Sequence, residues 1–170
     1  MKIDGNIGTD LRNVAHNAKE VESAGYAGAW TAETSHDPFL PLLLAAEHTE
    51  TLELGTSIAV AFARNPMTLA NTAWDLQAYS KGRFILGLGS QIKPHITKRF
   101  SMEWSHPAPR MREMVLAMRA IWNTWLSFVN DAAPAGLYTP SYALVRPDGP
   151  PRSVPRPPAR VTRFPVHDLG

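Results

Sequence analysis

Gly25-Tyr-Ala-Gly-Ala-Trp-Thr-Ala-Glu-Thr-Ser-His-Asp-Pro-Phe39, Leu54-Gly-Thr-Ser-Ile58 and Gly82-Arg-Phe-Ile-Leu-Gly-Leu-Gly-Ser-Gln91 are short apolar runs punctuated by glycine and left through polar residues. Buried strands of this kind, with helices between them, build either a parallel α/β barrel or an open doubly wound sheet. In both architectures the chemistry sits at the carboxyl ends of the strands. Here those ends carry acidic, imidazole and hydroxyl side chains, among them Glu33, His36, Ser57 and Ser90.

Outward from these runs, Met1–Ile7 reads as a short first strand. Leu11, Val14, Ala15, Ala18 and Val21 fall at helical spacing and predict a helix over Asp10–Ala24, stopped by Gly25. Tyr26–Thr31, Leu52–Val60 and Arg83–Leu88 read as buried parallel strands. Pro41–Thr49 is a helix that tolerates proline in its first turn. Asn65-Pro66 caps another, in which Met67, Ala70, Ala73, Trp74 and Gln77 share a face. The last helix shows a broad apolar stripe of Met111, Met114, Val115, Met118, Ile121, Trp122 and Trp125. The result is about four strand–helix units in about 125 residues, an ordinary density for such units.

The chain has 170 residues, enough for one domain with a sizeable core. It falls short of a complete (β/α)₈ barrel, which takes roughly 250 residues. With no cysteine it has no disulfide or thiolate metal site. His16, His48 and His106 lack metal-ligand spacing, so no metal is expected. The start has no apolar leader, and no stretch approaches the roughly 20 apolar residues of a membrane span; the expected location is the cytoplasm. Residues 1–125 balance 12 Lys and Arg against 12 Asp and Glu, and residues 126–170 supply the whole net charge of +2. The folded part therefore shows no clustered cationic face for nucleic acid. Nine of the 15 prolines also fall in residues 126–170. Proline breaks helices and central strands, so this segment is expected to be irregular or disordered. Gly87-Leu-Gly89 runs into Gln91-Ile-Lys-Pro-His rather than into a glycine-started helix, which excludes a dinucleotide fingerprint.

Trp30-Thr-Ala-Glu-Thr-Ser-His-Asp-Pro-Phe39, Leu54-Gly-Thr-Ser-Ile-Ala-Val-Ala-Phe-Ala-Arg-Asn-Pro66 and Gly82-Arg-Phe-Ile-Leu-Gly-Leu-Gly-Ser90 resemble the first half of the luciferase-like monooxygenase superfamily. Within it they look closest to the oxidoreductases that use the deazaflavin coenzyme F-420. The resemblance covers about residues 1–125. It implies a (β/α)₈ barrel binding a deazaflavin, or alternatively FMN, at the strand carboxyl ends, usually as a homodimer. By position, it gives Glu33 the place of a catalytic aspartate in sugar-phosphate-oxidising relatives. Thr34 stands where those relatives carry a ring-contacting histidine, and His36, two residues on, is the imidazole that can substitute for it. Ser57–Ile58 matches a non-prolyl cis peptide against the back face of the ring. Ser90 matches a hydroxyl at the ring edge, and His95 falls near a cofactor-contacting asparagine. The residues alone also allow Glu33 to cap the following helix or pair with Arg64, and allow His36-Asp37-Pro38 to be only a turn.

The expected architecture is thus α/β: the N-terminal half of a (β/α)₈ TIM barrel over residues 1–125, followed by a proline- and arginine-rich tail over 126–170. The abrupt change of composition there is what an unrelated, frame-shifted tail would produce. The expected function is hydride transfer between a deazaflavin or flavin and a small organic substrate. No nucleic-acid or membrane partner is expected. The open edge of a half barrel is expected to drive homo-oligomerisation. The rival readings are a non-catalytic half-barrel remnant and an adaptor acting through its proline-rich tail.

Overall fold

A computed structural model of the chain describes residues 1–132. The tail expected to be irregular therefore lies mostly outside the described residues. The elements are β1 (Asp4–Asn6), α1 (Val14–Ser23), β2 (Gly28–Thr31), α2 (Phe39–His48), β3 (Glu53–Thr56), β4 (Ala59–Val60), α3 (Pro66–Tyr79), β5 (Phe84–Ile85), β6 (Leu88–Gly89) and α4 (Pro107–Ala132). A 3-10 turn spans Ala61–Ala63 and a π-helical turn spans His95–Arg99. Helix α4 thus runs seven residues past the change of composition at Trp125.

All strand pairs are parallel, in the order β1-β2-β3-β5, and β4 pairs with β6. Strands that follow one another in both sequence and space, each returning through a helix, form the first half of an α/β barrel. A doubly wound sheet would reverse its strand order. Ala29, Leu54 and Phe84 are buried beneath the helices, and a Cβ at Gly5 would meet Val21 of α1. Because side chains alternate along a strand, Asp4, Trp30, Glu53 and Gly55 point to the opposite, inner face. There Lys2 Nζ pairs with Glu53 at 3.1 Å. Among the described residues β1 pairs only with β2, and β5 only with β3.

Two expected strands are each broken in two. The run over Leu52–Val60 divides at a cis peptide between Ser57 and Ile58. The run over Arg83–Leu88 divides at Gly87. The Thr56 hydroxyl accepts from Gly87 N at 2.9 Å and donates to Gly87 O at 2.8 Å, so a side chain takes the place of the backbone ladder. A Cβ on Gly87 would collide with the Thr56 carbonyl.

The helix over Asp10–Ala24 begins later than its pattern suggests. Asp10 first forms a turn in which its carboxylate accepts from Arg12 N at 3.1 Å. The helix ends at Gly25, whose φ of 81° suits glycine. In α3 the cap is as expected, with Asn65 Oδ1 accepting from Thr68 N at 2.8 Å. Its packed face is Leu69, Ala70, Ala73, Leu76 and Gln77, whereas Met67 is 49% exposed. Met67 sits in the first turn of the helix. Along α4, Met114, Met118 and Trp122 are buried, and the Trp122 indole donates to Ala70 O at 3.1 Å.

Two polar latches close the amino-terminal side of the sheet. The Glu22 carboxylate accepts from the backbone N–H groups of Glu50, Thr51 and Leu52 at 2.7 to 3.1 Å, tying α1 to the turn before β3. Arg83 donates to Ala46 O, Thr49 O, Leu52 O and Ser80 O, joining the end of α2 to the turn before β5. Burial pulls the Arg83 pKa down, and the charges of Glu22 and Glu50 oppose that shift. Polar investment at this end serves stability and leaves the opposite end for chemistry.

Candidate functional site

At the carboxyl ends of the strands a cavity of about 470 Å³ is lined by Glu33, Thr34, Ser35, Gln91, His95 and Arg99. The first three come from the loop after β2, and the last three from the segment after β6. The cavity therefore lies between the second and fourth strand positions, above the β3–β4 break. Of the six candidate residues it brings together Glu33 and His95. His36, Ser57, Ile58 and Ser90 lie outside its lining.

Glu33 is buried, with its side chain 5% exposed. Its Oε2 accepts from Val60 N at 2.7 Å and from Arg64 Nη1 at 2.6 Å. The pairing with Arg64 allowed by the sequence is therefore present. The helix cap belongs to Asp37, whose Oδ1 accepts from Phe39 N at 2.8 Å and Leu40 N at 3.3 Å. Glu33 N donates to Ile58 O at 3.2 Å, and Ser57 N donates to Thr31 O at 2.6 Å. The Ser57–Ile58 peptide is thus stitched to the β2 loop.

On its other side Ile58 packs against Gly89, where a Cβ would come within 2.7 Å of its side chain. The close approach of β6 to Ile58 sets backbone and aliphatic carbon side by side, half-buried, as a ledge. Ser90 is half-buried at the end of this ledge and donates to Gln91 O at 3.3 Å. Gln91 adopts a left-handed φ of 60°, a conformation that costs a non-glycine residue energy and recurs at binding sites.

His95 opens the π-helical turn that ends at Arg99, placing both side chains toward one cavity. Arg99 donates to Thr34 O and lies over the Phe100 ring, 4.7 Å from its centroid. His36 is exposed and is not among the residues lining the cavity. The Asp10 carboxyl is held below its ordinary value chiefly by the side-chain and backbone hydrogen bonds from Arg12. Among the described residues no group of three or more His, Asp or Glu is placed to hold a metal ion, and no helix is long and apolar enough to cross a membrane.

Sequence reading did not single out Gln91 and Arg99. Their signal was the polar and basic run Gln91–Arg99 directly after a strand end, where α/β barrels place their loops of function.

The donor set suits a flat heterocycle. An aliphatic ledge at Ile58 and Gly89 offers a ring a face. Hydroxyl, carboxamide, imidazole and guanidinium groups offer its edge partners for carbonyl oxygens and ring nitrogens. The N-termini of α2 and α3 are occupied by the Asp37 and Asn65 caps, so neither presents a free cradle for phosphate.

Comparison with known proteins gives the family and supports the fold. Residues 2–167 match the luciferase-like monooxygenase family. An uncharacterized protein of Mycobacterium tuberculosis is 58% identical over 161 residues, covering 92% of this chain and 46% of that protein. The likeness thus continues past Trp125 into the proline-rich segment, which is not an unrelated addition. The chain spans about half the length of this relative. Among solved structures, the coenzyme F-420-dependent tetrahydromethanopterin reductase of Methanopyrus kandleri superposes with a TM-score of 0.56 at 25% identity, over 67% of this chain and 37% of that one. The oxygenating constituent of 3,6-diketocamphane monooxygenase of Pseudomonas putida, in complex with FMN, gives a TM-score of 0.63 at 19% identity, over 72% and 40%.

Proposed function

This chain belongs to the luciferase-like monooxygenase family, and from that premise we propose that it binds the ring of a deazaflavin of the coenzyme F-420 type, or alternatively of FMN, at the carboxyl ends of β3 to β6. The observation that carries this reading is the ledge of Ile58 and Gly89 beside a cavity walled by Glu33, Gln91, His95 and Arg99. A ring held there supplies or accepts a hydride, and the cavity in front of it holds a small organic substrate.

The residues divide the work by position. Ser57 and Ile58 support the face of the ring, and Ser90 meets its edge. Glu33 Oε2 is committed to Val60 and Arg64, so Oε1 is left to accept a hydrogen bond from substrate or ring. His95 lines the cavity and His36 does not; His95 is accordingly the imidazole assigned to the ring edge, from which it also reaches substrate for proton transfer. Association of copies through the β1 and β5 edges, which lack an outer neighbour among the described residues, completes the reading, since unpaired edges invite pairing.

Amide shift mapping on isotope-labelled protein with coenzyme F-420 tests the placement. Shifts concentrated at Ser57, Ile58 and Gly89–Gln91 support it. Shifts confined to the inner face around Asp4 and Trp30 would place the ligand elsewhere.

A further inference from the structure

Arg64 does not line the cavity, yet its guanidinium joins both ends of the loop that does. Nη1 donates to Glu33 Oε2 at 2.6 Å and to Val60 O at 3.1 Å, while Nη2 donates to Asp37 Oδ2 at 3.3 Å. Its plane lies over Phe39, 5.5 Å from the ring centroid. Glu33 and Asp37 bracket Thr34, Ser35 and His36, and Thr34 and Ser35 are the cavity wall. One planar group therefore pins the wall at its two feet. Val60 O fixes that group to the strand below, and Asp37 Oδ1 fixes the far foot to α2. Arg64 is 18% exposed and Glu33 5%, whereas Asp37 is 41% exposed. The near foot is thus the firm one and the far foot the adjustable one. A lysine offers a single point of charge and cannot span both carboxylates in one plane.

We propose that Arg64 is a positioning residue for the ring site. By holding Glu33 and Asp37 together it fixes the Thr34–Ser35 wall against the Gln91–Arg99 side of the cavity. The assignment rests on the cofactor reading above. An ion pair that served only the stability of the fold would loosen every neighbouring element when removed. A positioning pair loosens the wall alone.

The test combines amide exchange over 32–38 with fluorescence titration by coenzyme F-420, on the wild-type chain, Arg64→Met, Arg64→Lys and Asp37→Asn. In Arg64→Met, exchange in 32–38, read at the Glu33 amide that donates to Ile58 O, should rise by about 10-fold or more while β3 and α3 keep their protection, and coenzyme affinity should fall by about 10-fold. Arg64→Lys should recover part of both losses. Asp37→Asn keeps an acceptor for the α2 cap and loses the charge pair, so it should loosen the loop less than Arg64→Met. If Arg64→Met does not fold, Arg64→Lys and Asp37→Asn carry the comparison. Unchanged loop exchange, or loss of protection spread equally through β2, β3 and α3, overturns the proposal. Absence of binding by the wild-type chain, with the loop loosened as expected, overturns the cofactor site and leaves Arg64 as the pin of the wall.

Discussion

The indole of Trp30 lies across the backbone of Gly55 on the neighbouring strand, and its Nε1 donates to Asp4 Oδ2 at 2.9 Å. One inner-face aromatic thus spans β1, β2 and β3. Gly55→Ala should destabilise the fold by about 1–3 kcal/mol through overpacking, measured by the urea midpoint. In the Trp30→Ala background the same substitution should cost far less. Equal costs in the two backgrounds would show that the ring does not rest there.

Glu22 sets an acid limit to stability. Partial burial pushes its carboxyl up, but the hydrogen bonds from Thr51, Leu52 and Glu50 outweigh that and hold it below its ordinary value of 4.5. A carboxylate depressed in the folded state contributes stability that is complete above the unfolded pKa and is lost as pH falls through the folded one. Glu22→Gln should cost about 1–2 kcal/mol at pH 7 and nearly nothing once pH lies below both values. Thermal melts from pH 7 to pH 3 read this directly, and a cost that stays constant with pH would refute it.

Gln77 is buried in α3, and its amide nitrogen and oxygen have no hydrogen-bond partner among the described residues. Removing an unsatisfied buried amide while keeping its volume relieves its desolvation penalty. Gln77→Met should therefore raise stability by about 1 kcal/mol. Destabilisation in chemical denaturation would instead reveal a partner for the amide.

Ser90→Ala and His95→Ala should each weaken coenzyme binding by about 3- to 10-fold, the worth of one hydrogen bond, with the circular dichroism spectrum unchanged. His106→Ala, far along the chain before α4, should leave binding as it was. His36→Ala should also have little effect, because its side chain lies outside the cavity. A loss with His36→Ala equal to that with His95→Ala would reverse the choice of imidazole.

Much of the fold was legible because local and global signals agreed. The periodicity of Val14, Ala18 and Val21 located α1, Asn65-Pro66 located the start of α3, and Met114, Met118 and Trp122 located the buried stripe of α4. The cis peptide at Ser57–Ile58 was implied by the family resemblance and is present, whereas the break at Gly87 was not visible. It depends on a Thr56 hydroxyl that reaches across to another strand, and no one-dimensional pattern records such a contact. Glu33 could be marked from the sequence because it lies at a strand end, and His95 because the family resemblance puts a cofactor contact near it. Arg99 could not, because no periodic apolar pattern marks the short turn that brings it beside His95.

The central claim is that the carboxyl ends of these strands form a ring-binding site. Fluorescence titration of the chain with coenzyme F-420, and in parallel with FMN, tests it most directly. The account predicts saturable binding of at least one of them, with a Kd of about 10–100 µM, roughly −5 to −7 kcal/mol, since the proposed site offers contacts for a ring while the N-termini of α2 and α3 are capped by Asp37 and Asn65 rather than free for phosphate. A folded chain that shows no saturable change with either ligand up to about 1 mM would contradict it.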